Sequence, residues 1–426
     1  MLSIKFIKEN PTEVINRLKI KNFDAKEIVN KILELEEKTS ALRIKVENNN
    51  SQINKISKQV GDLFKQGKQE EANSLKQQTA TIKEENKKLQ SQLNELENEI
   101  FNLIVKLPNL PHPSVKPGKS EKDNEIIKEN KIERNLPQKL LPHWELAKKY
   151  NLIDFEIGSK ITGSGFPVFT GYGALLSRSL ITFFLDEARK EGYTEFIPPY
   201  MVNEDTAFGT GQLPDKEGQM YHITQDNLYL IPTAEVPLTN IYRDQIIPED
   251  KLPVKLTAYT PCFRREAGSY GKDVKGLNRV HQFDKIEIVQ ITHPEKSYET
   301  LNEMVKYVEG LLIKLGLPYR IVRLCGGDIS FTSALTYDFE VYSPGQDKWL
   351  EVSSVSNFET YQANRMKIRI KTKDKKKVIA HTLNGSALAL PRIIAAILEN
   401  YQTPVGIKIP NRITEYMNMD IIKNEK

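Results

Sequence analysis

Four short segments in the second half of the chain set charged or hydroxyl side chains two or four residues apart. They are Thr233 and Glu235 in PTAEVP, Arg264 and Glu266 in CFRREAG, Phe283 and Glu287 in HQFDKIEIV, and Glu351 and Ser353 in WLEVSSVSNF. Side chains alternate along a strand, so residues i, i+2 and i+4 share a face. Read as four strands of one sheet, these segments present acids, an arginine, hydroxyls and a phenyl ring on one surface. A guanidinium grips a phosphate or carboxylate through two parallel hydrogen bonds. Paired acids bind an ammonium group or Mg2+, and Phe283 can stack on a flat ring. The surface therefore suits a cationic amine, an anionic phosphate and an aromatic base together. Polar-out alternation on a half-wet sheet accounts for any one segment alone, and Arg265 beside Arg264 spoils the apolar side there. Four such segments in one domain are what point to a polar pocket.

Two further stretches carry chemistry. GSYGKDVKG, at 268–276, has three glycines and two lysines. It reads as a basic hairpin loop, either a plain surface loop or one that closes on phosphate or nucleic acid. In HTLNGSALALPRIIAAILENYQ, at 381–402, a strand is expected to end at Asn384-Gly385 and a helix to begin with Pro391 in its first turn. Arg392 then lies near free helix amides, which together make an anion site. Its neighbours Leu388, Leu390, Ile393 and Ile394 imply burial, and a buried arginine needs a partner. The six histidines form no HExxH, and Cys262 and Cys325 form no CxxC or disulfide framework. Gly118-Lys119-Ser120 imitates the end of a phosphate-binding loop, but Pro113 stands where that loop needs glycine.

The elements that must hold these residues follow from periodicity. A helix is expected at 174–190, with Leu176, Leu180, Phe183, Phe184 and Ala188 on its apolar face, then a strand into Pro198-Pro199. Further strands are expected near 228–231, 255–264, 279–291, 319–324, 336–343, 349–354 and 378–384, and helices near 295–315 and 389–400. Strands in consecutive runs argue an α+β fold with a mainly antiparallel sheet.

The first hundred residues differ. No proline occurs between Pro11 and Pro108, and the only glycines in that stretch are Gly61 and Gly67. Ile28, Ile32, Leu35, Thr39, Leu42 and Val46 begin one heptad seam, and Ala72, Leu75, Thr79, Ile82, Asn86 and Leu89 begin another. A turn at Gly67 makes them an antiparallel helical hairpin of about 50–60 Å. From Lys26 to Val105 there are 13 Lys/Arg and 13 Asp/Glu. Charge thus leaves open a solvated coiled coil for spacing or dimerisation, or a probe for a large partner such as RNA. LPNLPHPSVKPGKS, at 107–120, reads as a linker, and 121–140 as a polar surface crossing. The 426-residue chain carries a net charge of +5, which demands no nucleic-acid coat. It has no apolar run long enough to span a bilayer and no apolar signal region, so a reducing cytoplasm is expected.

Taken in order, GTGQLP, YLIPTAEVPLTN, LTAYTPCFRREAGSYGKDVKGLNRVHQFDKIE, EVSSVSNFETYQANRM and HTLNGSALALPR make the chain resemble bacterial-type seryl-tRNA synthetases of class II over residues 1–415. The resemblance implies a long N-terminal antiparallel coiled-coil hairpin, residues 1–106, that binds tRNA. It implies a linker at 107–120 and, at 121–426, a class II catalytic domain with an antiparallel sheet flanked by helices. It further implies a homodimer, with no membrane partner, that joins L-serine, ATP and Mg2+ to tRNA(Ser), and also tRNA(Sec), through a seryl-adenylate. Carried over residue by residue, it sets Thr233, Ala234, Glu235, Glu287 and Ser386 on serine. It sets Arg264, Arg265, Glu266, Val280, His281, Gln282, Phe283, Glu351, Val352, Ser353, Ser354 and Arg392 on ATP. Arg264, Glu266 and Arg392 would be the catalytic residues and Glu351 a Mg2+ ligand. Asp215, Arg265, Leu335, Tyr342, Ala387 and Leu390-Pro391 depart from the family pattern. Two rivals remain at this stage: a paralogue that activates an amino acid for another carrier, and a non-catalytic RNA-binding coiled-coil protein.

Overall fold

In the computed structural model, residues 1–132, 134, 136–215, 217–266 and 274–424 are described. The chain divides into two units, one of residues 1–19 and 23–108, the other of residues 20–22 and 109–426.

In the first unit, short helices α1 (Ile4–Glu9) and α2 (Pro11–Ile20) precede the long α3 (Lys26–Lys65) and α4 (Gln69–Ile104). The proline-free heptads give helices of 40 and 36 residues, about 60 and 54 Å at 1.5 Å per residue. Gly67 makes the turn at φ 76°, a left-handed conformation glycine adopts without a Cβ penalty. Val29, Ile32, Leu35, Val46 and Ile56 of α3 and Ala72, Leu93, Ile100 and Ile104 of α4 are buried. The polar breaks in the seams are only partly satisfied, since Asn49 Nδ2 and Asn86 Oδ1 are buried without a hydrogen-bond partner. Thr39 and Thr79 donate to the carbonyls of Leu35 and Leu75, each at 2.8 Å, and Asn86 Nδ2 donates to Asn50 Oδ1 at 2.8 Å.

In the second unit, the strands of the central sheet are β1 (Glu125–Asn130), β2 (Thr194–Glu195), β3 (Val254–Phe263), β4 (Gln282–Thr292), β5 (Tyr319–Arg323), β6 (Leu335–Ser343), β7 (Lys348–Asn357) and β8 (His381–Ala389). Their spatial order is β1-β5-β6-β7-β8-β4-β3-β2, and every pair is antiparallel except β2 with β3. Helices α5 (Gly171–Lys190), α6 (Glu235–Asn240), α7 (Ser297–Leu315), α8 (Tyr361–Met366) and α9 (Leu390–Asn400) bear on it. Alternation along β4 sorts the layers. Ile286 and Ile288 join one core with Phe184 of α5, Leu311 of α7 and Ile394 of α9. Val289 and Ile291 face the other way, into a second core with Leu238 of α6 and Met366 of α8. Phe283, Lys285 and Glu287 share that second face but line a cavity. No helix among the described residues is long and apolar enough to cross a membrane.

Three local expectations fail. The segment 121–140 is not only a surface crossing: β1 pairs with β5 at the sheet edge. The strand expected to stop at Asn384-Gly385 runs on to Ala389, because its ladder to β4 continues through Ser386 to Ala389. The Pro-rich stretch is packed, with Leu110 and Val115 buried and Asn109 Nδ2 donating to the carbonyls of Thr332 at 2.9 Å and Phe358 at 2.8 Å.

Candidate active site

The cavity has a volume of about 570 Å³. Among the expected site residues it is lined by Thr233, Glu235, Arg264, Glu266, Val280, Phe283, Glu287, Glu351, Val352, Ser353, Ser354, Ser386 and Arg392. Four do not line it. Ala234 is buried in the second core. The Arg265 side chain is exposed. His281 stacks on Phe166 at 5.2 Å and approaches the Tyr221 hydroxyl at 3.1 Å. Gln282 faces a separate cavity of about 250 Å³. Most of the loop expected between Gly268 and Gly276 lies outside the described residues.

Convergence on the cavity does not come from simple strand alternation in every segment. Glu235 is not on a strand; it opens α6, and the Thr233 hydroxyl accepts its amide at 3.2 Å. Arg264 and Glu266 lie beyond the end of β3, and Glu266 has a φ of 48°. On β7, Phe339 pairs with Ser353 and Glu340 with Glu351, so Val352 is an extra residue. Such a bulge re-aims the side chains that follow it. Ser354 pairs with Asp338, so Glu351 and Ser354, not Glu351 and Ser353, share the face carrying Asp338 and Glu340. Ser353 instead donates to the Ser386 carbonyl at 2.6 Å. Only Phe283 and Glu287, both on β4, obey the expected period.

At one end of the cavity the polar groups form a closed circuit. The Thr233 hydroxyl accepts from Lys285 Nζ at 2.8 Å and donates to Glu287 Oε2 at 3.0 Å. Lys285 Nζ lies 2.5 Å from that same Oε2. Both protein contacts therefore fall on one oxygen of Glu287, and Oε1 is left for a ligand. Ser386 stands directly opposite Glu287 across the β4–β8 ladder. Gln362 Nε2 donates to Glu235 Oε1 at 2.6 Å and to the Thr210 carbonyl at 3.1 Å. Burial, then the charge of Glu287, pushes the Glu235 carboxyl up to about 7, against the opposing hydrogen bond from Gln362.

Three arginines also line the cavity, two of them beside carboxylates. The Arg264 guanidinium lies 5.3 Å from the centre of the Phe283 ring, and Arg279 pairs with Glu266 at 3.1 Å. Arg392, on the first turn of α9, donates from Nε to the Asn278 carbonyl at 3.0 Å and from Nη1 to the Glu351 carbonyl at 2.8 Å. Beside Glu351, burial and then the Glu351 charge hold the Asp338 carboxyl well above the usual carboxylate range. Asp338 Oδ1 is buried without a hydrogen-bond partner.

The backbone under Arg392 is fixed by a buried network. The Leu277 amide donates to His143 Nε2 at 2.9 Å, so Nδ1 carries the proton toward Glu399 Oε1, 2.9 Å away. Burial works to raise the Glu399 carboxyl, but hydrogen bonds from His143 and Ser343 outweigh it and hold the group below its usual range. Gly276 sits against this histidine: a Cβ there would come within 2.3 Å of His143 Nε2, and its φ is 66°. Asn278 donates to Gln346 Oε1 at 2.9 Å.

Lys285, Gln362, Asn278, Arg279 and Asp338 are cavity or network residues that were not among the expected site residues. Lys285 was within reach, since it lies two residues from both Phe283 and Glu287. Gln362 carried no signal, because a lone glutamine on a short helix has no distinctive spacing.

An antiparallel sheet supporting a cavity lined by acids, hydroxyls and arginines is the arrangement of class II aminoacyl-tRNA synthetases. Residues 221–401 match the tRNA synthetase class II core domain (G, H, P, S and T), and residues 1–111 match the seryl-tRNA synthetase N-terminal domain. A serine–tRNA ligase of Salinibacter ruber is 46% identical over 418 residues, covering 98% of each chain. One of Chlorobaculum parvum is 45% identical, covering 99% of this chain and all of that one. The seryl-tRNA synthetase of Pyrococcus horikoshii complexed with ATP superposes with a TM-score of 0.92 at 34% identity over all of both chains. A cytoplasmic serine–tRNA ligase of Naegleria fowleri in complex with AMP gives 0.88 at 26% identity, over 100% of this chain and 99% of that one. The chain belongs to the seryl-tRNA synthetases, enzymes that ligate serine to tRNA.

Proposed function

We propose that the chain activates L-serine with ATP to seryl-adenylate and diphosphate, then transfers the seryl group to the 3′ end of tRNA(Ser), and of tRNA(Sec). The observation that carries this reading is what one cavity brings together: the hydrogen-bonded Thr233, Lys285 and Glu287 with Glu235 and Ser386, and on the same walls Arg264, Phe283 and Arg392. Phe283 and Glu287, four residues apart on β4, are separated by roughly 13 Å, which spaces a stacked adenine from an amino acid. Glu235 meets the serine ammonium, and the free oxygen of Glu287 accepts from the serine hydroxyl. The serine carboxylate attacks the α-phosphate in line, the α–β phosphate bond breaks, and diphosphate leaves. This step needs alignment and charge neutralisation more than proton transfer. Arg264 and Arg392 supply fixed positive charge, and Phe283 packs against adenine. Val280 borders the base, while Arg265, His281 and Gln282 stand outside the cavity and brace the strand entrance, where the His281 carbonyl accepts the Arg264 amide at 2.9 Å.

Mg2+ fits the oxygen donors present: Glu351, Ser354 on the same face, and the unpartnered Asp338 Oδ1 beside them. Magnesium is ordinarily held by one or two carboxylates together with substrate phosphates, and Glu351 with Ser354 would hold it here, where it neutralises phosphate charge. Residues 1–106 act as the tRNA-binding arm, 107–120 as the connection and 121–426 as the catalytic domain. The enzyme works as a cytoplasmic homodimer.

The test is serine-dependent ATP–diphosphate exchange alongside charging of tRNA(Ser) and tRNA(Sec). The wild-type chain should perform both reactions. Arg392→Ala should lose at least ~100-fold in exchange, the usual cost of removing one preorganised charge-stabilising donor. A chain without serine-dependent exchange, or an Arg392→Ala variant with near-normal exchange, sinks this reading.

A further inference from the structure

The chain's positive charge is not spread over its surface. Between Lys367 and Lys377 lie Lys367, Arg369, Lys371, Lys373, Lys375, Lys376 and Lys377, opposed only by Asp374. That segment carries a net +6, whereas the whole chain carries +5. Everything else is close to neutral.

The segment is an antiparallel hairpin of two short strands, Arg369–Lys371 and Lys377–Ile379, with Arg369–Lys371 also pairing in parallel with Ile246–Pro248. Its inner face is anchored, for Ile370 belongs to the second core and Val378 packs against it. All seven basic residues are exposed. Lys371 stands directly opposite Lys377 across the ladder, and like charges so placed oppose pairing. Among the described residues Lys367 alone of the seven has an ion-pair partner, Asp244 at 3.8 Å. Glu249, the carboxylate that touches the hairpin, is taken by the Lys373 backbone amide at 2.7 Å. Discouraging edge-to-edge pairing requires only a charge or two on an edge strand. Five lysines in seven positions, two of them face to face, exceed that need and leave a cluster that an external anion would relieve.

The hairpin also lies close to the chemistry. Lys377 leads through Ala380 into β8, whose Asn384 lines the cavity. Seven residues of chain span at most ~25 Å. A tRNA that inserts its 3′ end into the cavity must bring its duplex stem within a few nucleotides of that end. We infer that the 369–379 hairpin is a docking surface for the phosphate backbone of the acceptor stem of the tRNA substrate. The inference rests on the ligase reading above, which names the polyanion, and it goes beyond that reading in assigning the surface. Contacts to phosphates fix register without reading sequence, so the hairpin contributes affinity and alignment and leaves the choice of tRNA to other parts of the chain.

The test uses the full-length chain and a tRNA(Ser) transcript. Lys371, Lys373, Lys375, Lys376 and Lys377 are all replaced by Gln in one variant and by Arg in another. Serine-dependent diphosphate exchange should stay at the wild-type level in both, since neither touches the cavity. In the Gln variant KM for tRNA should rise at least tenfold near physiological salt. The dependence of log affinity on log salt should flatten by about 2 to 4, given ~0.9 for each phosphate no longer neutralised. The Arg variant should keep wild-type values. If the five-fold change disturbs folding, Lys373→Glu and Lys376→Glu, in the turn and outside the ladder, should weaken tRNA binding in the same direction. Unchanged tRNA KM and an unchanged salt slope would overturn the inference and leave the hairpin to a partner other than RNA. Absence of exchange in the wild type would instead overturn the ligase reading.

Discussion

At the scale of single residues, the proposed function gives two carboxylates with different surroundings different tasks. Glu287 is 2% exposed, and its Oε2 already holds Thr233 and Lys285. A serine hydroxyl can pair with the remaining oxygen, and alanine cannot. A site built around such a group rejects the analogue lacking it by ~10⁴ or more, because the buried acceptor would stay unpaired. Glu287→Ala should therefore collapse serine activation and shrink the preference for serine over alanine far more than that over threonine, which shape must exclude. A Glu287→Ala variant that keeps the wild-type preference over alanine would reassign the hydroxyl reader. Glu235 differs because its folded value is raised from 4.5 to about 7. The folded state holds the extra proton between those values. Its unfavourable contribution to stability therefore grows as pH rises from about 4.5 to 7 and is complete above that. On the proposed contact of Glu235 with the serine ammonium, serine binding runs the opposite way, since the ammonium wants the ionised carboxylate. With half the sites competent at pH 7 and about a tenth at pH 6, serine affinity should fall about five-fold over that unit. Calorimetric titration with serine from pH 6 to 8 measures this. Glu235→Gln should bind more weakly with the pH dependence gone, and a wild-type affinity flat across the range would refute the assignment.

At the scale of elements, α9 shows how the sheet holds the site. Its first turn carries Arg392, which grips the backbone of Asn278 and Glu351, and its last turn carries Glu399, fully buried. Glu399 takes hydrogen bonds from His143, from Ser343 and from the Gly345 amide at 2.9 Å. Glu399→Ala would leave these donors buried and unpaired and should cost about 3 kcal/mol or more. Because His143 anchors Leu277 next to Asn278, KM for ATP should rise as well. Urea unfolding at wild-type stability would show that the network does not bear on the fold. Much of this element layer was legible: the helices at 174–190, 295–315 and 389–400 and most strands follow from apolar periodicity alone. What escaped was whatever depends on partners distant in sequence. The Val352 bulge is set by its pairing with β6, not by its own residues, so the period of two gave Ser353 where Ser354 is correct. The end of β8 depends on the ladder to β4, which outruns the turn signal at Asn384-Gly385. β1 is polar but for the adjacent, exposed Ile126 and Ile127, so it shows no alternation and carries little strand signal, yet it pairs with β5.

At the scale of the whole molecule, the two units bury apolar surface separately. The seams of α3 and α4 close on each other, and the second unit has two cores of its own. Every residue proposed for serine or ATP lies in the second unit. Replacing residues 30–100 by a short turn should therefore leave serine-dependent diphosphate exchange near the wild-type rate. Charging of tRNA(Ser) should fall much further, since losing even ~3 kcal/mol of RNA binding energy lowers kcat/KM about 100-fold. Salt separates this loss from that of the basic hairpin. The stretch from Lys26 to Val105 is balanced, 13 basic residues against 13 acidic, so its grip on RNA leans on fit more than on net charge. The deletion should thus reduce affinity with a smaller change in salt slope than the hairpin variant produces, because counterion release scales with phosphates neutralised. Equal loss of exchange and charging would show that the arm serves activation. Full charging without it would remove the arm from tRNA recognition and leave a coiled coil for spacing, the other use its balanced charge allows.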